Sequence, residues 1–192
     1  MTDYFALLDQ PRAPWLDPES LKDAYHRKTL QTHPDTATAE STEAGFAELN
    51  KAYQVLHDPK RRLHHLLDLE GSAPSAADQT VPQELHDLFP AIGALSQRAN
   101  LFLGKMRTAS TALSRSLLKP ELLQLQKETT ELRERIQTLS DTALAQLREA
   151  NSRWDKNSSQ DIAALSNLYF TFAYLGRWSS QLDELAFQLS LH

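Results

Sequence analysis

The sequence predicts an all-α protein in two parts, a compact N-terminal group of helices followed by a longer C-terminal helical bundle. Three observations carry that prediction. Apolar residues recur three and four apart along most of the chain, the spacing of a helix face turned to a core. Proline and glycine are unevenly placed: all 9 prolines of the 192 residues lie at or before Pro120, and Gly176 is the only glycine after Gly104. Helix start signals, a capping residue followed by proline or an early carboxylate, precede several of the periodic stretches.

The elements follow in order. Asp3 to Asp9 offers Tyr4, Phe5, Leu7 and Leu8, two helical turns with enough apolar surface to dock against something larger, and Pro11 and Pro14 end them. Asp17-Pro18-Glu19-Ser20 then reads as an N-cap, a proline at the first helical position and a carboxylate near the positive end of the helix dipole. The helix it starts runs to about Thr32, with Leu21, Ala24 and Tyr25 on one face and Lys22, His26 and Arg27 largely outside it. At His33-Pro34-Asp35 the proline removes a donor and pushes His33 out of helical geometry, so a loop there displays an imidazole and a carboxylate. A third helix is marked by Phe46, Leu49, Ala52, Tyr53 and Leu56 and closed by Pro59. Lys60-Arg61-Arg62 leads into a short fourth helix over Leu63 to Glu70, stopped by Gly71.

Residues 1–71 thus form the first domain. Residues 72–82, rich in Ser, Ala and Pro without apolar period, are an elbow, and Thr80 with Gln83 matches a capping box. The second domain, 83–192, begins with a helical stretch carrying Leu85, Leu88, Phe89, Ile92, Leu95, Ala99, Phe102, Met106, Ala109 and Leu113, in which Pro90 and Gly93 predict a break or kink. Lys119-Pro120-Glu121 predicts the start of the next helix, which carries apolar residues from Leu122 to Leu147. Asn151 to Asn157 is the turn, Ser158 and Asp161 a capping pair, and a last helix with Ile162 to Leu189 completes an antiparallel pair.

Composition excludes several classes. There is no cysteine, hence no disulfide framework, thiolate-held metal or cluster, and no cysteine nucleophile. The net charge of −5 gives no broad attraction to nucleic acid or an anionic membrane, and no apolar run reaches membrane-spanning length. Met1-Thr2-Asp3-Tyr4 lacks the basic start of a secretory signal, so a cytoplasmic location is expected, with an organellar matrix open for a chain that has lost its leader. His57, His64 and His65 have no partner at ligand spacing, which makes them surface histidines by default and a metal site unexpected. No phosphate loop, nucleophile elbow or dinucleotide fingerprint is present, so neither enzyme chemistry nor a cofactor is expected.

One pattern carries function. A short helix, a helix with a basic outer face, His33-Pro34-Asp35 in a loop, the Phe46 to Leu56 helix and a basic segment follow in the order that resembles the J domain of DnaJ-like co-chaperones. The runs Leu21-Lys22-Asp23-Ala24-Tyr25-His26-Arg27-Lys28 and Leu49-Asn50-Lys51-Ala52-Tyr53-Gln54-Val55-Leu56, with Asp58-Pro59 after the second, carry the likeness beyond the tripeptide. The resemblance implies an activator of a DnaK-type chaperone ATPase, not an enzyme. Asp35 would pair with an arginine of the partner, His33 and Pro34 would shape the loop, and Lys22, Tyr25, His26 and Arg27 would meet an acidic surface. Such charged contacts chiefly raise the encounter rate and fix orientation. Two departures stand out: Lys28 occupies a position usually held by leucine, and Gln31-Thr32 replaces a basic and tyrosine pair.

Asp3-Tyr4-Phe5-Ala6-Leu7-Leu8 at the start and Arg62-Leu63-His64-His65-Leu66-Leu67-Asp68-Leu69-Glu70-Gly71 at the end of this region resemble the HscB-type co-chaperones of iron-sulfur cluster assembly. So does the layout of J domain, elbow and helical C-terminal domain. That family implies an HscA-type chaperone as one partner and the cluster scaffold protein as client, held on an apolar patch for which Phe89, Ile92 and Phe172 are candidates. Packing into the core is the competing reading for each of the three. The family's run of glutamates is absent from Leu85 to Arg98, as are the Gly/Phe-rich and cysteine-rich segments of full DnaJ proteins. Two other readings stay open: a J protein serving a general chaperone with a different client, and a structural helical adaptor with an inactive J-like part.

Overall fold

The computed structural model describes residues 2–31, 39–74, 82–156 and 158–192, with 39–44 and Glu84 in backbone only. His33, Pro34 and Asp35 lie outside the described residues, as does 75–81 of the expected elbow, including the Thr80 side of the capping box. Among the described residues there are seven α-helices: α1 Tyr4–Leu7, α2 Pro18–Gln31, α3 Ala39–His57, α4 Pro59–Leu69, α5 Leu88–Thr108, α6 Ala112–Arg153 and α7 Ser159–Ser190, with a 3-10 turn at Gln83–Leu85. No strand occurs among the described residues.

The chain divides into two compact units, Met1–Gln79 with Leu144–Phe170, and Thr80–Ala143 with Thr171–His192. Residues 144–170, which the sequence groups with the C-terminal bundle, therefore cluster with the N-terminal segment.

The first unit is started by its caps. The Asp3 carboxylate accepts from the N–H groups of Phe5 and Ala6 at 3.0 and 3.2 Å, and Asp17 accepts from Ser20 N–H at 2.9 Å. Asp58, between α3 and α4, accepts from Arg61 N–H at 2.7 Å with Pro59 in the first helical position, so the residue pair that closes α3 also opens α4. Gly71 ends α4 with a φ of +69°, and Ser72 N–H reaches back to Leu67 O at 2.8 Å. That left-handed residue is strained with any side chain, which is why glycine stands there. Phe5, Leu21, Leu49, Leu56, Leu63 and Leu66 fill the core. Phe46, one of the apolar residues that mark α3, is 43% solvent-exposed.

Trp15 joins this core to residues 144–170. Its backbone N–H donates to Asn151 Oδ1 at 3.1 Å, and its ring has the Arg148 guanidinium 4.3 Å from the centroid and that of Arg62 at 5.8 Å. Arg62 is only 3% exposed. Its Nε donates to Pro14 O at 2.8 Å and its Nη1 to Leu56 O at 2.6 Å, which ties the segment before α2 to the end of α3. Its Nη2 has no hydrogen-bond partner, and burial pulls the guanidinium's pKa down to about 10 against the opposing pull of Asp58.

The second unit is a three-helix bundle. Arg98 pairs with Glu128 and Lys105 with Glu121 at 2.9 Å, so α5 and α6 run antiparallel. Arg133 pairs with Asp183 at 2.7 Å and Gln126 donates to Leu189 O at 3.1 Å, which sets α7 antiparallel to α6. Leu85, Ile92, Phe102, Ile136, Trp178 and Leu182 are among the buried residues between them. Two expected breaks do not occur. Pro90 is the third residue of α5, inside the first turn, where no intrahelical partner is lost. Pro120 lies within α6, which starts at Ala112 and continues through it with the proline exposed. The true start is a reciprocal cap in which Thr111 Oγ1 accepts from Ser114 N–H at 3.1 Å and Ser114 Oγ accepts from Thr111 N–H at 3.2 Å. The interruption falls at 109–111, so Leu113 opens the next helix with its side chain in solvent. The Ser158 cap holds, its Oγ accepting from Asp161 N–H at 3.2 Å.

Candidate functional site

Helix α2 is oriented by its apolar side. Leu21 and Ala24 are buried, and Tyr25 stacks on Tyr53 of α3 with ring centroids 4.6 Å apart while its hydroxyl donates to Asn50 Oδ1. Packing of that face necessarily sends Lys22, His26 and Arg27 outward, and all three are exposed. Lys22 makes a loose exposed ion pair with Glu19 at 3.9 Å, and the His26 ring sits 5.6 Å from that of Tyr25. Tyr25 itself is half-buried and hydrogen-bonded, so its ring acts first as the strut that sets the height of α2 on α3.

Lys28 takes a different course from these cations. Its stem lies half-buried over the core and its ammonium pairs with Asp9 at 2.7 Å. Asp9 holds a φ of +51°, a conformation that aspartate tolerates better than most residues. The unusual lysine thus fastens α2 to the turn after α1.

His65 departs from the sequence expectation of a surface histidine, being 5% exposed. Its Nε2 accepts from Tyr4 N–H at 3.1 Å, and the Tyr4 and Phe5 rings lie 4.6 and 5.7 Å from it. Burial depresses its pKa, against the pull of Asp3 and Asp68, so the ring is held neutral and serves as an acceptor for the first turn. Asp3 meets the opposite balance. Burial would raise its pKa, but the hydrogen bond from Arg12 at 2.8 Å and the N–H groups of Ala6 and Phe5 outweigh this and lower it. His57 and His64 are exposed and lie 5.5 Å from Tyr53 and 5.6 Å from Tyr169. Among the described residues no three His, Asp or Glu side chains gather as metal ligands, and no helix is long and apolar enough to cross a membrane.

The three client-patch candidates separate. Phe89 is 61% exposed, its ring edge-on to Trp178 at 6.4 Å. Ile92, one turn on, is 2% exposed and belongs to the core. Phe89 and Ile92, three residues apart on the same side of α5, thus differ in burial, one at the rim of the core and the other inside it. Phe172 is half-buried on α7.

A family model of the DnaJ domain matches residues 3–65. The human DnaJ homolog subfamily B member 3 is 32% identical over 104 residues, which cover 53% of this chain and 69% of that protein. The chain belongs to the DnaJ family. It spans 16% to 24% of the length of bacterial DnaJ relatives that it also matches. Among solved structures, chaperone HscB from Vibrio cholerae is similar over 98% of this DnaJ-family chain and 99% of its own, with a TM-score of 0.53 at 18% identity. The human co-chaperone HscB is similar over 95% and 81% respectively, with a TM-score of 0.60 at 16% identity. At such identities the likeness is one of fold. It extends to the helical region that follows the DnaJ domain.

Proposed function

We propose that this DnaJ-family protein is a co-chaperone that stimulates the ATPase of a DnaK- or HscA-type chaperone and brings it a client, the iron-sulfur cluster scaffold protein. The observation that carries the reading is the placement of Lys22, His26 and Arg27 on the outer face of a helix that leads, two residues after its last turn, into His33-Pro34-Asp35. Lys22, His26 and Arg27 steer the encounter with an acidic chaperone surface, Tyr25 holds their helix at the right height, and Asp35 engages an arginine in the chaperone's nucleotide domain with His33 and Pro34 shaping the loop. No chemistry occurs on this chain. It acts by binding one conformational state of the ATPase better than the other, which is the only way a ligand shifts such an equilibrium.

The scaffold as client is supported by the likeness of fold to two HscB proteins over nearly the whole chain. Phe89, with Phe172, offers the apolar contact. A second reading, a general DnaK-type chaperone with another client, is favoured by the lack of a glutamate run between Leu85 and Arg98.

Single-turnover ATP hydrolysis by the chaperone, with and without the full chain, tests the first step. Acceleration by wild type that is lost in Asp35→Asn and in His33→Gln is the expected result. No acceleration of any DnaK-type chaperone from the same source would overturn it. Calorimetric titration of the scaffold then decides between the clients, and absence of scaffold binding by a protein active in the ATPase assay leaves the second reading.

A further inference from the structure

A cavity of about 360 Å³ in the first unit takes no part in this reading. Its wall is formed by Tyr4, Val55, His64, His65 and Tyr169, and Lys60 and Arg61 also line it. The size falls within the range of small-molecule sites, and the wall is mostly apolar and aromatic with a few polar groups, the make-up of such sites. Two further features give the ligand its chemistry.

The first is charge. Lys60 and Arg61 are exposed and their side chains have no ion-pair partner among the described residues, while Asp68 is the only carboxylate lining the cavity. The second is a donor on a buried wall residue. His65 Nε2 accepts from Tyr4 N–H, so the neutral ring carries its proton on Nδ1. His64 and Tyr169, with centroids 5.6 Å apart and planes 57° apart, supply aromatic faces beside these donors.

We propose that this cavity binds a small aromatic carboxylate, its ring against Tyr4, His64 and Tyr169 and its anionic end held by Lys60, Arg61 and the His65 Nδ1–H. Val55 completes the apolar floor. Tyr169 is the one lining residue from α7, so a bound ligand clasps α7 to α4 and raises the unfolding temperature of the unit. The site is independent of the chaperone-facing side of α2, and its test needs no chaperone.

The probe pair is 2-naphthoate and its uncharged amide, 2-naphthamide, titrated calorimetrically into the full chain. Saturable one-site binding of naphthoate is expected, with affinity at least about tenfold weaker for the amide and for the Lys60→Ala/Arg61→Ala variant. Tyr169→Ala should weaken both probes together. Both Lys60 and Arg61 are exposed, so their variant keeps the fold, which circular dichroism verifies. No saturable binding overturns the proposal. Equal affinity for acid and amide overturns the anionic specificity, and unchanged binding in the Lys60/Arg61 and Tyr169 variants overturns the location.

Discussion

The Arg148 guanidinium lies 4.3 Å from the centroid of the Trp15 ring, with Asn151, one turn further along α6, accepting from the Trp15 backbone N–H. Two positions in α6 therefore hold a residue that the sequence places between the first two helices of the DnaJ domain. Cation-π contacts of this kind contribute about 0.5 to 2 kcal/mol, and the half-buried indole adds its own packing. Trp15→Ala should lower the stability of the first unit by about 2 to 3 kcal/mol and Arg148→Gln by about 1 kcal/mol, read as shifts in urea midpoint at constant slope. Equal, negligible effects of both would show that the contact contributes nothing.

Charge on α2 and charge at Lys28 should separate by assay. Lys22→Glu and Arg27→Glu leave the core untouched and face solvent, so thermal stability should stay within about 0.5 kcal/mol of wild type. Their association rate with the chaperone should fall by about tenfold at low salt, with the difference shrinking as salt rises. Lys28→Ala should do the reverse, loosening the link to Asp9 with little effect on the rate. Stopped-flow mixing at two ionic strengths distinguishes the patterns.

The His65 acceptor makes the first turn sensitive to acid. A histidine whose folded pKa is depressed is neutral in the native state and protonated first in the unfolded one, so its contribution is complete above the unfolded value of about 6.5. It is lost as pH falls through the lower folded value, because a protonated ring has only donors to offer the Tyr4 N–H. Groups around it, Asp3 and Asp68 on one side of the balance and His64 and Arg12 on the other, set where that loss ends. Denaturant titrations from neutral to mildly acidic pH should show falling stability in wild type and a flatter profile in His65→Gln, which keeps an acceptor and does not titrate. Identical slopes would remove His65 from the explanation.

Phe89 and Ile92 should part company in the second unit. Ile92→Ala leaves a cavity in a closed core and should cost about 2 to 5 kcal/mol of stability. Phe89→Ala removes an exposed ring, so it should cost little stability while weakening scaffold binding by about tenfold, an effect of more than 1 kcal/mol at a contact residue. Full-strength scaffold binding by Phe89→Ala would take that residue out of the client surface.

Local signals were legible in the sequence because their causes are local. Asp17 before Pro18, Ser158 before Asp161 and Gly71 after Leu69 each act on neighbours within four residues, and each does so in the fold. The two prolines misled because a proline's effect depends on its place in the helix: Pro90 fell in a first turn and Pro120 in an exposed stretch that a stronger start at Thr111 and Ser114 had already committed. Ser114 stands where a capping box usually carries Glu or Gln, so the signal was faint. Long-range facts were not readable at all. His65 is buried by a bond to a residue 61 positions earlier, and Arg62 by carbonyls at Pro14 and Leu56, neither marked by any spacing. For the site, the exposed cations of α2 followed from helix periodicity, whereas the diversion of Lys28 to Asp9 depended on a turn whose geometry only the fold supplies.

The discontinuity of the first unit bears on how the protein is made. Trp15 and Asn151 are 136 positions apart, and the unit is complete only with residues up to Phe170. During synthesis at about 5 to 20 residues per second, the hundred or so residues between Gly71 and Phe170 take roughly 5 to 20 s to emerge. For that interval the nascent DnaJ domain lacks the Arg148 and Asn151 contacts to Trp15. Closing so long a loop makes docking of the α6–α7 turn a late event. The domain's final firmness is thus acquired only after most of the chain has been translated.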